Sequence, residues 1–243
     1  MVRVDDLICA ALKALPMKPP DTATREAKRA YSEAMSARVA VTMADELRER
    51  GMKEARPSGP GDVGTSGAER QLAGSVGAKK VDVTWTTEDS GLPLGISVKT
   101  INFRDGRSKN FHKNLTNRRG DMVGEALTLH RWFPYAVVAG FLFLDKDAKN
   151  DQTTQRKSTF DNAFPRLRIF TGRQDPAGRD EQFERLYLLL VDANPFTPSI
   201  ECYQVSDPTA ELALDAVLDE LITLVAERNF DFYEASDGKV RRA

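Results

Sequence analysis

The run YAVVAGFLFLD at residues 135–145 is continuous apolar sequence of strand length. A strand with one wet face would alternate with polar residues, so this one must be covered on both sides and belongs in the middle of a sheet. It is too short to cross a bilayer. RLYLLLVDA at 185–193 has the same character, and IECYQVS at 200–206 reads as a further strand. The intervening sequence supplies the helices that would cover them. Thr24 to Gly51 carries apolar residues at helical spacing and ends on a glycine stop signal. STFDNAFPRLRIF (158–170) reads as a short helix, and TAELALDAVLDELITLVAERN (209–229) as an amphipathic one. The expected fold class is therefore α/β, a mixed central sheet flanked by helices.

A length of 243 residues with 41% hydrophobic and 29% charged residues is enough for one sizeable core. The expected division is an N-terminal helical segment, 1–56, followed by one domain, 57–243, after the Pro/Gly/Ser-rich loop ARPSGPGDVGTSG. The opening residues MVRVDDLICAALKALP contain acids and no long apolar run, so a cytoplasmic protein without a membrane segment is expected. Cys9 and Cys202 form no disulfide framework or zinc-ligand spacing. His112 and His130 make no metal pair, with His130 expected to pack against Trp132. A phosphate-binding glycine loop is also excluded, because GPGDVGTSG lacks a following Lys-Ser/Thr pair.

The chemistry concentrates between residues 66 and 130. Ser66 can cap a short helix, GAERQLAGSVG, and KKVDVTWT and LGISVKTINF then form a hairpin across TEDSGLP. Adjacent strands lie about 5 Å apart, so Asp82 can approach Ser97 and Lys99, which share one strand face. An acid opposite a lysine has two readings. One is a salt bridge on a sheet face; the other is phosphodiester hydrolysis, where carboxylates hold a divalent cation and a lysine orients water and offsets phosphate charge. Ser97 as a nucleophile is disfavoured, since no histidine base is predictably near it.

Lys99 to Arg119 carries seven basic residues against the single acid Asp105, in a chain of net charge −1. Arg104, Arg107, Lys109, Lys113, Arg118 and Arg119, with Asn114 and Asn117 among them, suit contacts to phosphates and base edges. This segment reads as a loop leading into a helix from about Asp121 to Arg131. Arg166, Arg168, Arg173 and Arg179, around the TGRQDPAGRD loop, suggest a second contact to DNA or to another subunit.

The order of a helix with Glu69, a strand with Asp82, a strand with Lys99, then a helix and a buried strand resembles the PD-(D/E)xK nuclease superfamily, over roughly residues 64–145. Val81 stands where that family often has Pro, and Ser97 where it usually has an acid, giving an S-x-K form. The resemblance implies a restriction endonuclease-like core and Mg²⁺-dependent DNA cleavage, with Mn²⁺ as a substitute. It implies Asp82, Glu69 and Glu125 as metal-binding carboxylates, with Asp121 in reserve for Glu125. It further implies the Val98 carbonyl as an added oxygen ligand, Lys99 positioning water and Ser97 assisting by hydrogen bonding. Type II restriction enzymes or related prokaryotic defence nucleases are the nearest functional expectation, with DNA as partner. A homodimer or higher homo-oligomer, through the N-terminal helices, and a cognate methyltransferase or defence-system partner are also implied. The alternatives are a nonspecific nuclease activated by a partner, a catalytically inactive DNA-binding module of the same fold, and an α/β protein whose acid and lysine only pair.

Overall fold

The computed structural model describes residues 3–58, 70–72 and 79–243. Helix α1 (Val4–Lys13) is followed by α2 (Arg25–Glu49). Thr24 caps α2 by accepting the Ala27 N–H at 3.2 Å, and the chain leaves the helix through Gly51 at φ +100°. The helix expected over 24–51 is thus present.

Strands β1 (Arg70–Leu72) and β2 (Lys79–Val81) pair antiparallel, with Arg70 opposite Val81. The helix expected from Ser66 is corrected on this point, since residues 70–72 are extended. A helix of that length is held poorly by its own hydrogen bonds, whereas the ladder to β2 satisfies the same backbone groups. Ser66 and Glu69 lie outside the described residues.

Strands β3 (Val83–Thr87) and β4 (Gly91–Ile101) form the expected hairpin. Helix α3 (His112–Trp132) begins nine residues before the expected Asp121. Its first two turns hold one buried apolar residue, Leu115, so the helical period was too faint to read there. Strand β5 (Val137–Asp145), helix α4 (Thr159–Leu167) and strand β6 (Arg185–Asp192) follow as expected, and Ser158 caps α4. Next come β7 (Ser199–Gln204), β8 (Asp207–Leu212) and helix α5 (Leu214–Arg228). Strand β8 corrects the start of the last helix from Thr209 to Leu214. It is a largely exposed edge strand on β7, and Leu212 happens to fall in phase with the helix that follows. A hairpin of β9 (Tyr233–Ser236) and β10 (Lys239–Arg242) ends the chain.

Among the described residues the main sheet has six strands in the order β3-β4-β5-β6-β7-β8. The β4-β5 and β5-β6 pairs are parallel, each connected through a helix, and the remaining pairs are antiparallel. The chain is therefore α/β with a mixed sheet flanked by helices. In β5, Val137, Ala139, Phe141 and Phe143 join α1, α2 and α5 in one hydrophobic cluster. Val138, Leu142 and Leu144 join α3 and α4 in another. Cover on both faces explains the unbroken apolar runs. The apolar faces of α1 and α2 are buried in the same cluster as the sheet. No helix among the described residues is long and apolar enough to cross a membrane.

Candidate active site

Alternation along β4 turns Leu94, Ile96 and Val98 toward α2, and Ser97 and Lys99 toward α3. Two polar residues therefore occupy a sheet face that is otherwise covered by apolar packing. Asp82 stands just ahead of β3, and the register Val83↔Ile96 brings it beside the following stretch of β4. Its Oδ2 accepts the Val98 N–H at 2.7 Å and the Lys99 ammonium at 3.2 Å. From the other side Glu125 of α3 reaches in. Its Oε1 lies 2.8 Å from Lys99 Nζ, and its Oε2 accepts the Ser97 hydroxyl at 2.5 Å.

The side chains of Lys99, Asp82 and Glu125 are 15%, 18% and 14% exposed, so the cluster sits at the floor of an opening rather than on an open surface. Burial works to lower the Lys99 pKa. The charges of Glu125 and Asp82, and the hydrogen bonds from both, outweigh it and raise the pKa above the usual lysine value. The two carboxylates thus favour the charged form of the lysine.

Between the acid candidates of α3 the geometry discriminates. Glu125 touches both Ser97 and Lys99, whereas Asp121 is half exposed and pairs with Arg118 at 3.1 Å. Val98 gives its N–H to Asp82, and strand geometry turns its carbonyl to the same edge, where β3 has already ended. Asp82, Glu125 and this carbonyl are hard oxygen donors of the kind Mg²⁺ takes. That donor set fits the ion chemically, and a single cationic centre, the Lys99 ammonium, already joins both carboxylates. Among the described residues no three acidic, His or Cys side chains converge at metal-binding distance.

The cluster opens into a cavity of about 1060 Å³ bounded by the N-terminal half of α2, the end of β4 with the loop to Asp105, and the first turns of α3. Seven basic side chains line it against four acidic ones, so its net field favours an anion. Arg104, Lys113, Asn114, Asn117 and Arg118 lie on this lining. Arg107 and Lys109 sit in the adjoining exposed turn, where Lys109 takes φ +54°. Arg119 points away, its guanidinium 5.9 Å from the centre of the Phe170 ring. Several of these charges have internal partners: Arg104 pairs with Asp147 at 2.9 Å and Lys113 with Asp105 at 3.0 Å. The Ser108 N–H, then Lys113, hold the Asp105 carboxyl well below the usual range.

Of the second basic cluster expected around the TGRQDPAGRD loop, Arg168 is exposed and Arg166 half-buried, whereas Arg173 is not surface. Arg173 is buried and donates to Glu184 at 2.9 Å, and Arg228 pairs with the same carboxylate. His130 belongs to this network as well. Its Nε2 lies 3.1 Å from Glu184 and its Nδ1 2.9 Å from the Asp180 carbonyl, so polar partners rather than Trp132 hold it. Arg179 pairs with Glu181. These residues fasten the ends of α3, α5 and β5 together at the opposite end of the sheet from Lys99.

What sequence reading missed is the wall of the cavity made by α2, through Arg25, Lys28, Arg29, Ser32 and Ser36. Their spacing placed them on one helical face, but nothing local placed that face over the end of β4. No protein-family model matches the chain, and neither the curated proteins nor the solved structures give a match.

Proposed function

We propose that the protein is a Mg²⁺-dependent DNA endonuclease with a restriction endonuclease-like core, acting as a restriction-type or related defence nuclease. The observation that carries this reading is the Lys99 ammonium held between Asp82 and Glu125 at the floor of a basic cavity. What separates this cluster from the structural ion pairs of Arg50 and Glu184 is that Lys99 and Asp82 line a large basic cavity.

Asp82, Glu125 and the Val98 carbonyl would hold the metal, which would supply Lewis-acid activation of water and neutralise phosphate charge. Glu69 stays a proposed further ligand. Lys99, protonated at neutral pH, offsets the negative charge that builds on the phosphoryl oxygens as water attacks in line. Ser97 fixes the Glu125 carboxylate through its 2.5 Å hydrogen bond and so orients it toward the ammonium. Basic and amide side chains along the cavity hold the DNA backbone and its base edges.

A second reading, a DNA-binding module of the same fold without catalysis, is favoured by one observation: only two carboxylates meet at Lys99 among the described residues. Incubation with supercoiled plasmid and unmethylated phage DNA in Mg²⁺, Mn²⁺ or EDTA separates the two. Discrete fragments that require metal support a restriction-type enzyme, and a smear supports a nonspecific nuclease. Salt-dependent binding with no cleavage under any metal supports the binding module.

A further inference from the structure

We infer that the N-terminal half of α2 is a DNA-backbone clamp, in which Arg25 and Arg29 bind phosphates on the side of the cavity opposite α3. The inference rests on the nuclease reading for its ligand, and it adds residues that no motif assigns. Three observations carry it.

First, α2 is fixed to the strand that bears Lys99. The Ser32 hydroxyl accepts the Asn102 side-chain N–H at 3.1 Å, and Asp21, ahead of the helix, accepts the Arg104 N–H at 3.1 Å. Any group bound on α2 is therefore held at a set distance from the cluster.

Second, the charges on α2 run against local stability. A helix N-terminus carries partial positive charge and favours acids, yet Arg25, Lys28 and Arg29 crowd the start of α2 beside the single first-turn acid Glu26. Departures of this kind from local preference without internal compensation mark functional surfaces.

Third, compensation among the described residues is slight. Arg25 is exposed and has no hydrogen-bond or ion-pair partner among the described residues. Arg29 has only the exposed Glu33 one turn on, at 2.7 Å. Lys28 is different: it donates to the Asp21 carbonyl at 3.1 Å and lies over Phe103, so it braces the loop. Two guanidiniums one turn apart on the lining of a cavity with net positive charge offer the planar donors that suit bidentate phosphate binding.

The test is fluorescence anisotropy of a fluorescein-labelled DNA duplex in EDTA across a KCl series. The proteins compared are the full chain, the double variant Arg25→Ala/Arg29→Ala, and Lys239→Ala/Arg241→Ala as a control of equal charge change on the β9-β10 hairpin. Melting curves verify that each is folded. The expected result is that the α2 variant loses about tenfold or more in affinity and about two in the slope of log K against log salt, at roughly 0.9 per phosphate contact. The hairpin control stays at the parent values. Parent-like affinity and slope in the α2 variant would overturn the clamp while leaving the nuclease reading standing. No salt-dependent DNA binding by the parent protein would overturn both. Loss of binding in the α2 variant, together with no cleavage by the parent protein in a parallel incubation with Mg²⁺ or Mn²⁺, would support the clamp and sink the nuclease.

Discussion

Lys99 Nζ lies 2.8 Å from Glu125 Oε1 and 3.2 Å from Asp82 Oδ2, so a single ammonium ties helix α3 and the approach to β3 onto strand β4. Its pKa is raised, because two carboxylates outweigh burial. A raised folded-state pKa contributes stability that is fully present below the unfolded value, about 10.4, and is lost as pH rises through the folded value. Urea unfolding of the parent and of Lys99→Met should show a stability difference that is flat from pH 6 to 9 and shrinks only above roughly pH 10. A difference that changes across the neutral range would mean the lysine is not held as an ammonium there.

Glu125, not Asp121, is expected to be the working acid of α3. It alone bonds both Ser97 and Lys99, while Asp121 pairs with Arg118 near the surface. Glu125→Gln should lower the single-turnover cleavage rate by about 100-fold or more. Asp121→Asn should stay within about twofold, as for an ordinary surface change. The reverse ranking would transfer the role to Asp121.

At the far end of the sheet, Glu184 holds Arg173, Arg228 and His130, and also accepts the Val138 N–H at 2.7 Å. Burial would raise its pKa, but the His130 hydrogen bond and charge, then Arg228 and the Val138 N–H, pull it down to about 2. A depressed carboxylate pKa gives stability that is present above the unfolded value and lost as pH falls toward the folded one. That window is from about 4.5 down to about 2. Glu184→Gln strands two guanidiniums near one neutral amide and should cost about 3–5 kcal/mol in chemical denaturation at pH 7. It should also flatten the acid limb of the stability profile.

Gly51 is required where α2 ends. It holds φ +100°, and a Cβ there would lie 2.3 Å from the Val240 carbonyl oxygen, a backbone atom of the hairpin docked on the helix end. Gly51→Ala should destabilise by more than about 1 kcal/mol and lower the melting temperature. A neutral effect would show that the hairpin can move off at little cost.

How far these features were legible varies with how local their causes are. The strands β5 and β6 and the hairpin around Asp82 and Lys99 follow from apolar runs and alternation, and they appear in place. The placing of Ser97 and Lys99 on one face also follows from alternation, whereas Glu125 was named by the resemblance and not by any local pattern. The first turns of α3 were hidden because Leu115 is their single buried apolar residue. Strand β8 was hidden because its exposed residues carry no alternating pattern, and a helix phase ran up to it. Arg173 and His130 looked like surface charge and aromatic packing. Their burial depends on Glu184, which is 11 and 54 residues away in sequence. The α2 wall depends on tertiary placement alone: the spacing of Arg25, Lys28 and Ser32 gives a face, and only contact with Asn102 says what that face overlooks.

The most direct test of the account is the metal-dependent cleavage of unmethylated DNA by the parent protein, Lys99→Ala and Asp82→Ala under single-turnover conditions in Mg²⁺, with EDTA as the blank. The account predicts cleavage by the parent that EDTA abolishes, and rates at least about 100-fold lower in both variants with DNA affinity in EDTA retained. Cleavage that persists in Lys99→Ala and Asp82→Ala at parental rates, or that ignores EDTA, would contradict it.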